Sequence, residues 1–505
     1  MKKYVFFLGI GGIGMSALAR WFQANGYEVS GYDKTATPLT EKLTAEGIAI
    51  HYEDAVDNIP LEVRQNKAQT LVVLTPAIPK DHQEWAWLRE QGYDIQKRSQ
   101  VLGLLTQGRP TIAVAGTHGK TTTSSMVAHL LHHAGVPCAA FLGGISVNLG
   151  SNLLLPSEPI KNEELKIKNS PASSEGLAAD SEQPTTNNQQ LATNIPVVVE
   201  ADEYDRSFLT LFPTVAIVTS TDADHLDIYG HKEALVESFR QFVSQIQPGG
   251  TLIINHTADP SVAAAAPAGV RVIRYGLSPE EGPELYATDI AAQGHQFHFA
   301  LHGPQGITDG LVLAVPGYHN VENMLAAACV AQLYGLSPGQ LRVAVAAYKG
   351  VKRRFEFILT AGTAAAPKVY VDDYAHHPRE IEAFLRSVRA LYPGRRLRVI
   401  FQPHLFSRTR DFAPGFAESL SLADEVVLLD IYPARELPMP GVTSELILSQ
   451  ITAVEKSLQT KAEILRNAET NPDFDVLATV GAGDIDQLVP QLKNILDIRW
   501  NGAEA

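Results

Sequence analysis

Thr111-Ile112-Ala113-Val114-Ala115-Gly116-Thr117-His118-Gly119-Lys120-Thr121-Thr122 is the stretch that decides the fold. Thr111 to Ala115 has the apolar, β-branched character of a buried strand. Glycines then bound a tight turn, and a helix is predicted from Thr121 to Ala134. Met126, Val127, Leu130 and Leu131 form its apolar stripe, and Gly135 suits its C-terminal cap. A short buried strand turning on glycine into a helix is the building unit of a parallel α/β sheet. The turn also suggests chemistry. Backbone N–H groups of Gly116, Thr117, His118, Gly119 and Thr122 can cradle phosphates, Lys120 can neutralise the β/γ charge, and the Thr121 hydroxyl can ligate Mg²⁺. Val114 stands where the full G-x-x-x-x-G-K-T pattern has its first glycine, so this loop is shorter than an ordinary P-loop. A plain helix-capping loop is the alternative.

Toward the N-terminus the same grammar recurs. Tyr4 to Leu8 reads as a strand, Gly9-Ile10-Gly11-Gly12-Ile13-Gly14 as a turn, and Met15 to Asn25 as a helix. The next strand, Glu28 to Tyr32, ends at Asp33, where an acid can accept from ribose hydroxyls. The residues fit a nucleotide diphosphate without naming the nucleotide. A dinucleotide cofactor is the default reading, and a glycine-rich packing turn the alternative. Lys2-Lys3, the apolar run and Ala17-Leu18-Ala19 also resemble a secretory signal, but four glycines interrupt the run, which favours strand, turn and helix.

Downstream, chemistry-bearing residues cluster at predicted strand ends, where ligands bind in open α/β sheets. Glu200-Ala201-Asp202-Glu203-Tyr204-Asp205 follows the strand Val197 to Val199, and its hard oxygens suit Mg²⁺. A solvated acidic turn is the alternative. Asp222-Ala223-Asp224-His225-Leu226-Asp227 follows Val215 to Thr219, and His225 is a candidate for a second metal or a phosphate. His319-Asn320-Val321-Glu322-Asn323 opens a helix, where an Asn amide can read a purine edge or Asn320 can cap the helix. Lys352-Arg353-Arg354-Phe355-Glu356 offers cations or a solvated face. Asp372-Asp373-Tyr374-Ala375-His376-His377-Pro378 follows the strand Lys368 to Asp372, and Gln402-Pro403-His404 with Arg408 follows Leu397 to Phe401. His376-His377 can equally be a surface pair.

Composition bounds these readings. The 505 residues suggest about three domains at roughly 150 residues each. The predicted architecture is α/β throughout. It has a Rossmann-like domain over 1–107, a central P-loop-type ATPase domain with a mostly parallel sheet over 108–350, and a Rossmann-like domain over 351–505. Pro156 to Pro196 holds five prolines and no aromatic residue, and reads as a disordered insertion. A net charge of −14 argues against general nucleic-acid binding, while leaving room for anionic small ligands held by local cations. Cys138 and Cys329 read as buried hydrophobes, which fits a reducing cytoplasm. No apolar run approaches the ~20 residues that span a bilayer.

Taken in order, these motifs resemble the Mur ligase family of ATP-dependent amide-forming enzymes. The resemblance covers nearly the whole chain except the insertion. It implies that Gly9, Gly11, Gly12, Ile13, Gly14, Met15, Ser16 and Asp33 hold a UDP-sugar rather than NAD. It implies that Gly116 to Thr122 hold ATP, that Thr121 and Glu200 hold one Mg²⁺, and that His225 ligates a second. His319 and Asn323 would face adenine, Asp373 or Asp372 the ribose, and Arg354 the phosphates. Tyr374, His376 and Arg408 would meet the amino acid, with Arg408 suited to its carboxylate by fork geometry. Lys120, Glu200, His225 and His376 are the implied catalytic set. Leu405 stands where some relatives carry a second Arg.

The implied reaction joins L-alanine to the carboxylate of UDP-N-acetylmuramate through an acyl phosphate, in a cytoplasmic monomer or weak homodimer. The alternatives are a recycling ligase that adds a preformed tripeptide to the same sugar nucleotide, an NAD-dependent oxidoreductase, and a non-catalytic nucleotide-binding regulator.

Overall fold

The computed structural model describes residues 2–156, 195–222, 229–363, 366–434, 436–453, 455–470 and 473–502. Positions 157–194 of the expected insertion and the Asp224-His225-Leu226-Asp227 motif lie outside the described residues. The chain divides into two compact units, Met1–Ile145 with Leu149–Arg274, and Ser146–Asn148 with Tyr275–Ala505.

The first unit holds two parallel sheets. One orders its strands β3-β2-β1-β4-β5, with β1 Tyr4–Leu8, β2 Glu28–Tyr32, β3 Ala49–His51, β4 Thr70–Leu74 and β5 Asp94–Lys97. The central strand β1 is buried along its whole length, as a strand covered on both faces must be. Strand order reverses at β1, so the glycine turn after Leu8 emerges at a topological switch point. It leads into the helix Ile13–Ala24, whose Trp21 and Phe22 are buried.

The other sheet contains β6 Thr111–Ala115, β7 Ala139–Ser146, β8 Ser151–Leu154, β9 Val197–Glu200, β10 Val215–Val218 and β11 Thr251–Asn255. Within this unit the order is β11-β10-β6-β9-β7-β8. The pairs of β6 with β9 and β10, of β10 with β11 and of β7 with β9 are parallel. The turns after β6, β9 and β10 therefore share the C-terminal edge of one sheet. The helix Lys120–His133 ends on Gly135, at φ +78, with the Val136 N–H donating to the Leu131 carbonyl, as the sequence led us to expect of a glycine cap. One apolar core joins residues from both sheets, including Phe7, Trp21, Leu102, Leu105, Val199, Phe208 and Phe239.

In the second unit Tyr275 and Gly276, at the end of β12 (Arg271–Gly276), pair with β13 Leu285–Gln293. β13, β14 Gln296–Gly303 and β15 Gly306–Leu313 form an antiparallel meander. The sequence reading did not anticipate this meander. Only one face of such a sheet is buried, so its strands alternate polar and apolar residues and lack the continuous apolar run used to find the others. A six-stranded sheet follows in the order β16-β17-β21-β18-β19-β20, with β16 Glu356–Thr363, β17 Ala366–Asp373, β18 Leu397–Phe401, β19 Glu425–Leu428, β20 Glu455–Leu458 and β21 Val476–Val480. It is parallel apart from the edge pair β16–β17.

Both cysteines are buried, and burial pushes the Cys138 thiol up to about 12, in keeping with an unreactive core residue. Among the described residues no helix is long and apolar enough to cross a membrane.

Candidate active site

The turn after β6 is shaped by its neighbour β10. Gly116 has φ +133, and a Cβ there would lie 2.1 Å from Thr219 Oγ1 and within 3 Å of the Thr219 and Ser220 backbone nitrogens. Only glycine fits. Ser220 fixes the other side of the turn. Its Oγ meets Thr117 Oγ1 at 2.7 Å and accepts from the His118 N–H at 2.9 Å. Gly119, at φ +80, caps the helix Lys120–His133 with no side chain of its own. The first N–H groups of that helix have no carbonyl inside it to bond, which makes this end a seat for anions.

Lys120 is largely buried at the mouth of the turn, with 13% of its side-chain surface exposed. Its Nζ donates to the Gly116 carbonyl at 2.6 Å and lies 2.9 and 2.8 Å from the two Glu203 carboxylate oxygens. Burial alone would lower the ammonium pKa. Glu203, Asp202 and Glu200 outweigh that and raise it above the ordinary lysine value, so the charge is retained. The sequence reading placed Glu203 among candidate acids but not as the partner of Lys120. That pairing joins residues far apart in sequence, and no local spacing encodes it.

Glu200 closes β9 and its carboxylate lies against Gly143 of β7. A Cβ on Gly143 would come within 2.1 to 2.4 Å of the Glu200 carboxylate atoms, so the glycine is what leaves the acid its room. Thr121, 9% exposed, opens the helix beside the turn. One carboxylate and one hydroxyl are hard oxygen donors, and they suit Mg²⁺, which keeps several waters and needs few protein ligands. Among the described residues no cluster of three or more His, Cys, Asp or Glu side chains could hold a metal.

The first glycine turn lies in the same unit. Gly9 has φ +87, and the Gly9 and Ile10 N–H groups both donate to the Tyr32 carbonyl. Asp33 pins the turn, since its Oδ2 accepts from the Gly11 N–H at 2.7 Å and its Oδ1 from the Thr35 N–H at 3.2 Å. Its carboxylate is thus already engaged in shaping the loop. Gly12 precedes the helix that begins at Ile13, and Gly14 lies in its first turn. Met15 and Ser16 are buried, and the Ser16 hydroxyl donates to the Ile13 carbonyl while accepting from the Asn152 amide. These two side chains pack the loop from beneath.

Arg98, which sequence reasoning passed over, begins the helix Arg98–Thr106. A Cβ on Gly14 would lie 2.8 Å from its Nη1 and 3.4 Å from its Cζ, so the guanidinium rests directly on that glycine. Its Nη2 donates to Asp202 Oδ2 at 3.3 Å.

In the second unit, Gly317 at φ +122 lets the His319 ring fold back over it. Burial, reinforced by the positive Arg354, pulls the His319 imidazole down to about 4, so the ring is neutral at pH 7. Asn323 is buried one helical turn further on. Asn320 does not cap the helix; Gly317 occupies that position and the Asn320 amide donates to the Pro316 carbonyl. Arg354 Nη1 lies 3.9 Å from Glu380 Oε1 and its guanidinium lies 5.2 Å from the Tyr374 ring centre. Glu380 Oε2 accepts from the His376 N–H at 3.0 Å. Arg354, Tyr374, His376 and Glu380 thus form one cluster, with His319 within its electrostatic reach.

The acids expected at a ribose are turned inward. Asp373 accepts from the Phe355 and Ala375 N–H groups, each at 2.7 Å, and burial pushes its carboxyl up to about 6. Asp372 pairs with Arg353 at 3.0 Å and accepts from the Thr479 hydroxyl at 2.6 Å. Both hold backbone in place: Arg353 and Phe355 have φ +61 and +49, strained for non-glycine residues. Arg408 is buried in the first turn of Phe406–Leu420, and Leu405 caps that helix at φ +71 with its own side chain buried. The Leu405 side chain fills space inside the fold and presents no charge.

Family models match the chain in three consecutive parts. They are described as Mur ligase family, catalytic domain (residues 4–109), Mur ligase middle domain (114–331) and Mur ligase, glutamate ligase domain (353–484). A UDP-N-acetylmuramate--L-alanine ligase of Phocaeicola vulgatus is 47% identical over 98% of both chains. One from Cytophaga hutchinsonii is 42% identical over 99% of this chain and 98% of its own. The crystal structure of the UDP-N-acetylmuramate-alanine ligase of Thermotoga maritima superposes with a TM-score of 0.75 at 25% identity, covering 99% of each chain. With both glycine turns, the lysine and the strand-end acids built as described, and with likeness running the full length, the chain belongs to the Mur ligase family.

Proposed function

We propose that the chain is an ATP-dependent ligase joining the carboxylate of UDP-N-acetylmuramate to the amine of L-alanine, in the synthesis of peptidoglycan precursors. The observation that carries the reading is the largely buried Lys120 on its glycine turn, with Glu203 at 2.8 Å and a second, diphosphate-suited glycine turn in the same unit. Full-length identity to relatives with this named activity supports the choice of substrates.

The chemistry follows from charge. A carboxylate oxygen of the sugar nucleotide attacks the γ-phosphorus of ATP; the bond to the β-bridging oxygen breaks and ADP departs. The alanine amine attacks the acyl-phosphate carbonyl, loses a proton, and expels phosphate. Phosphoryl transfer requires positioning and charge neutralisation more than covalent help. The turn Gly116 to Thr122 would hold the phosphates, and Lys120 would transfer its charge from Glu203 to them. Mg²⁺, when bound, neutralises phosphate oxygens and fixes their geometry. Thr121 and Glu200 are the residues that would hold it, with His225 assigned to a second ion.

His319 and Asn323 would face adenine, Arg354 the phosphates, and Tyr374, His376 and Arg408 the amino acid. Asp372 and Asp373 serve this site by holding the Arg353–Phe355 backbone. We assign UDP-sugar binding to 1–107, ATP binding to 108–350 and amino-acid binding to 351–505, in a cytoplasmic monomer or weak homodimer. The oxidoreductase alternative gives the Lys120 turn no task.

The test is substrate omission. ADP release should require UDP-N-acetylmuramate and L-alanine together, and hydroxylamine should trap an acyl phosphate formed before alanine is added. Release that needs neither substrate would reject ligation, and release with a preformed tripeptide in place of alanine would assign the recycling reaction.

A further inference from the structure

The first glycine turn and the Lys120 centre are linked by one side chain. Arg98 lies with its guanidinium against Gly14, in the first turn of a helix whose N-terminus favours anions, and reaches Asp202 with Nη2 at 3.3 Å. Asp202 is in turn one of the three acids whose charge acts on Lys120. The helix that carries Arg98 is packed against the segment that follows Asp202. Thr210 Oγ1 donates to the Ser99 carbonyl at 2.9 Å, and the Thr210 carbonyl lies so close to Gly103 that a Cβ there would come within 2.7 Å. The Asp202 carboxylate is itself oriented, because its Oδ1 accepts from the Tyr204 N–H at 3.0 Å.

A guanidinium carries five N–H donors in a fixed fork, more than one carboxylate can engage. Its fork matches a second carboxylate. With 23% of its side-chain surface exposed, Arg98 is reachable by a ligand. The sugar nucleotide, on the reading above, must extend from the diphosphate seat at Gly12–Gly14 toward Lys120, and the group it extends is an acid.

We propose that Arg98 is the residue that anchors the carboxylate of the sugar nucleotide and presents it to the phosphate turn, with Asp202 holding the guanidinium in register. This rests on the ligase reading. It adds a specificity element: Arg98 distinguishes a carboxylate-bearing UDP-sugar from one that lacks the acid.

The experiment measures binding of UDP-N-acetylmuramate and of UDP-N-acetylglucosamine, which has the same diphosphate but no carboxylate, to the full-length protein by calorimetry. Arg98→Ala should weaken UDP-N-acetylmuramate binding on the order of 10- to 100-fold, the worth of a charge-assisted contact, and leave UDP-N-acetylglucosamine unchanged. Arg98→Lys should restore part of the difference. In turnover, KM for the sugar nucleotide should rise while KM for ATP stays.

Equal weakening of both UDP-sugars would place Arg98 on the diphosphate and overturn the proposal, as would an unchanged preference for the acid. A wild-type protein that releases no alanine-dependent ADP would instead reject the ligase reading itself, so the two failures are separable.

Discussion

Glu203 faces Lys120 across 2.8 Å, in a site where the acid is fully buried and the lysine nearly so. The structure therefore shows the phosphate-turn lysine already neutralised by an internal anion. On the proposed reading, triphosphate competes with that anion; the pairing with Glu203 is what keeps a charged lysine inside the fold.

Lys120→Ala should abolish ADP release while leaving UDP-N-acetylmuramate binding near the wild-type value, since the two glycine turns are built by different strands. Steady-state assays and calorimetry on the same preparation check this. Loss of both together would contradict two separate seats.

Glu203→Gln removes one charge from a buried pair and leaves the other. We expect a stability loss of about 3–5 kcal/mol, the range for breaking such a pair, partly reversed by saturating ATP as its phosphates take the place of the lost acid. Thermal unfolding with and without nucleotide reads both effects. A variant as stable as wild type would show that Lys120 does not depend on Glu203.

Gly143→Ala places a methyl group where the Glu200 carboxylate lies. The acid must move, so the Mg²⁺ concentration needed for half-maximal activity should rise on the order of tenfold or more, as for loss of support to a metal ligand. Chelation of the wild type should stop ADP release, and added Mg²⁺ should restore it. Unchanged Mg²⁺ dependence in the variant would remove Glu200 from the metal site.

Asp373 gives a pH signature. Its folded pKa, about 6, is above the usual unfolded value near 3.9, so the folded state binds the extra proton. That contribution is present in full below the unfolded pKa and is lost as pH rises through 6. Relative to Asp373→Asn, the wild type should thus gain on the order of 2–3 kcal/mol of stability between about pH 7 and about pH 4. His319 acts the other way over the same range, since it is held neutral when folded. The comparison must therefore be wild type against the Asp373 variant at each pH. A pH-independent difference would mean that Asp373 is no more easily protonated folded than unfolded.

The parallel strands were legible because burial on both faces writes a continuous apolar run, as at Tyr4–Leu8, Thr111–Ala115 and Val476–Val480. Glycine turns were legible because few residues tolerate φ +133 at Gly116 or φ +87 at Gly9. Pairings across the sheet were not. Arg98 with Asp202, Lys120 with Glu203 and Gly143 with Glu200 join residues on separate strands or helices, and each depends on strand order rather than on spacing. The inward turn of Asp372 and Asp373 was hidden for a related reason. The strained backbone they hold at Arg353 and Phe355 has no mark in composition.

The apolar core that joins the two sheets of the first unit has a practical meaning. Leu102 and Leu105 share it with Phe208 and Phe239, so severing the chain between the sheets would leave oily faces on both fragments. The leading module is no detachable cartridge. Anyone grafting it onto a different catalytic body would have to recut the seam on both sides.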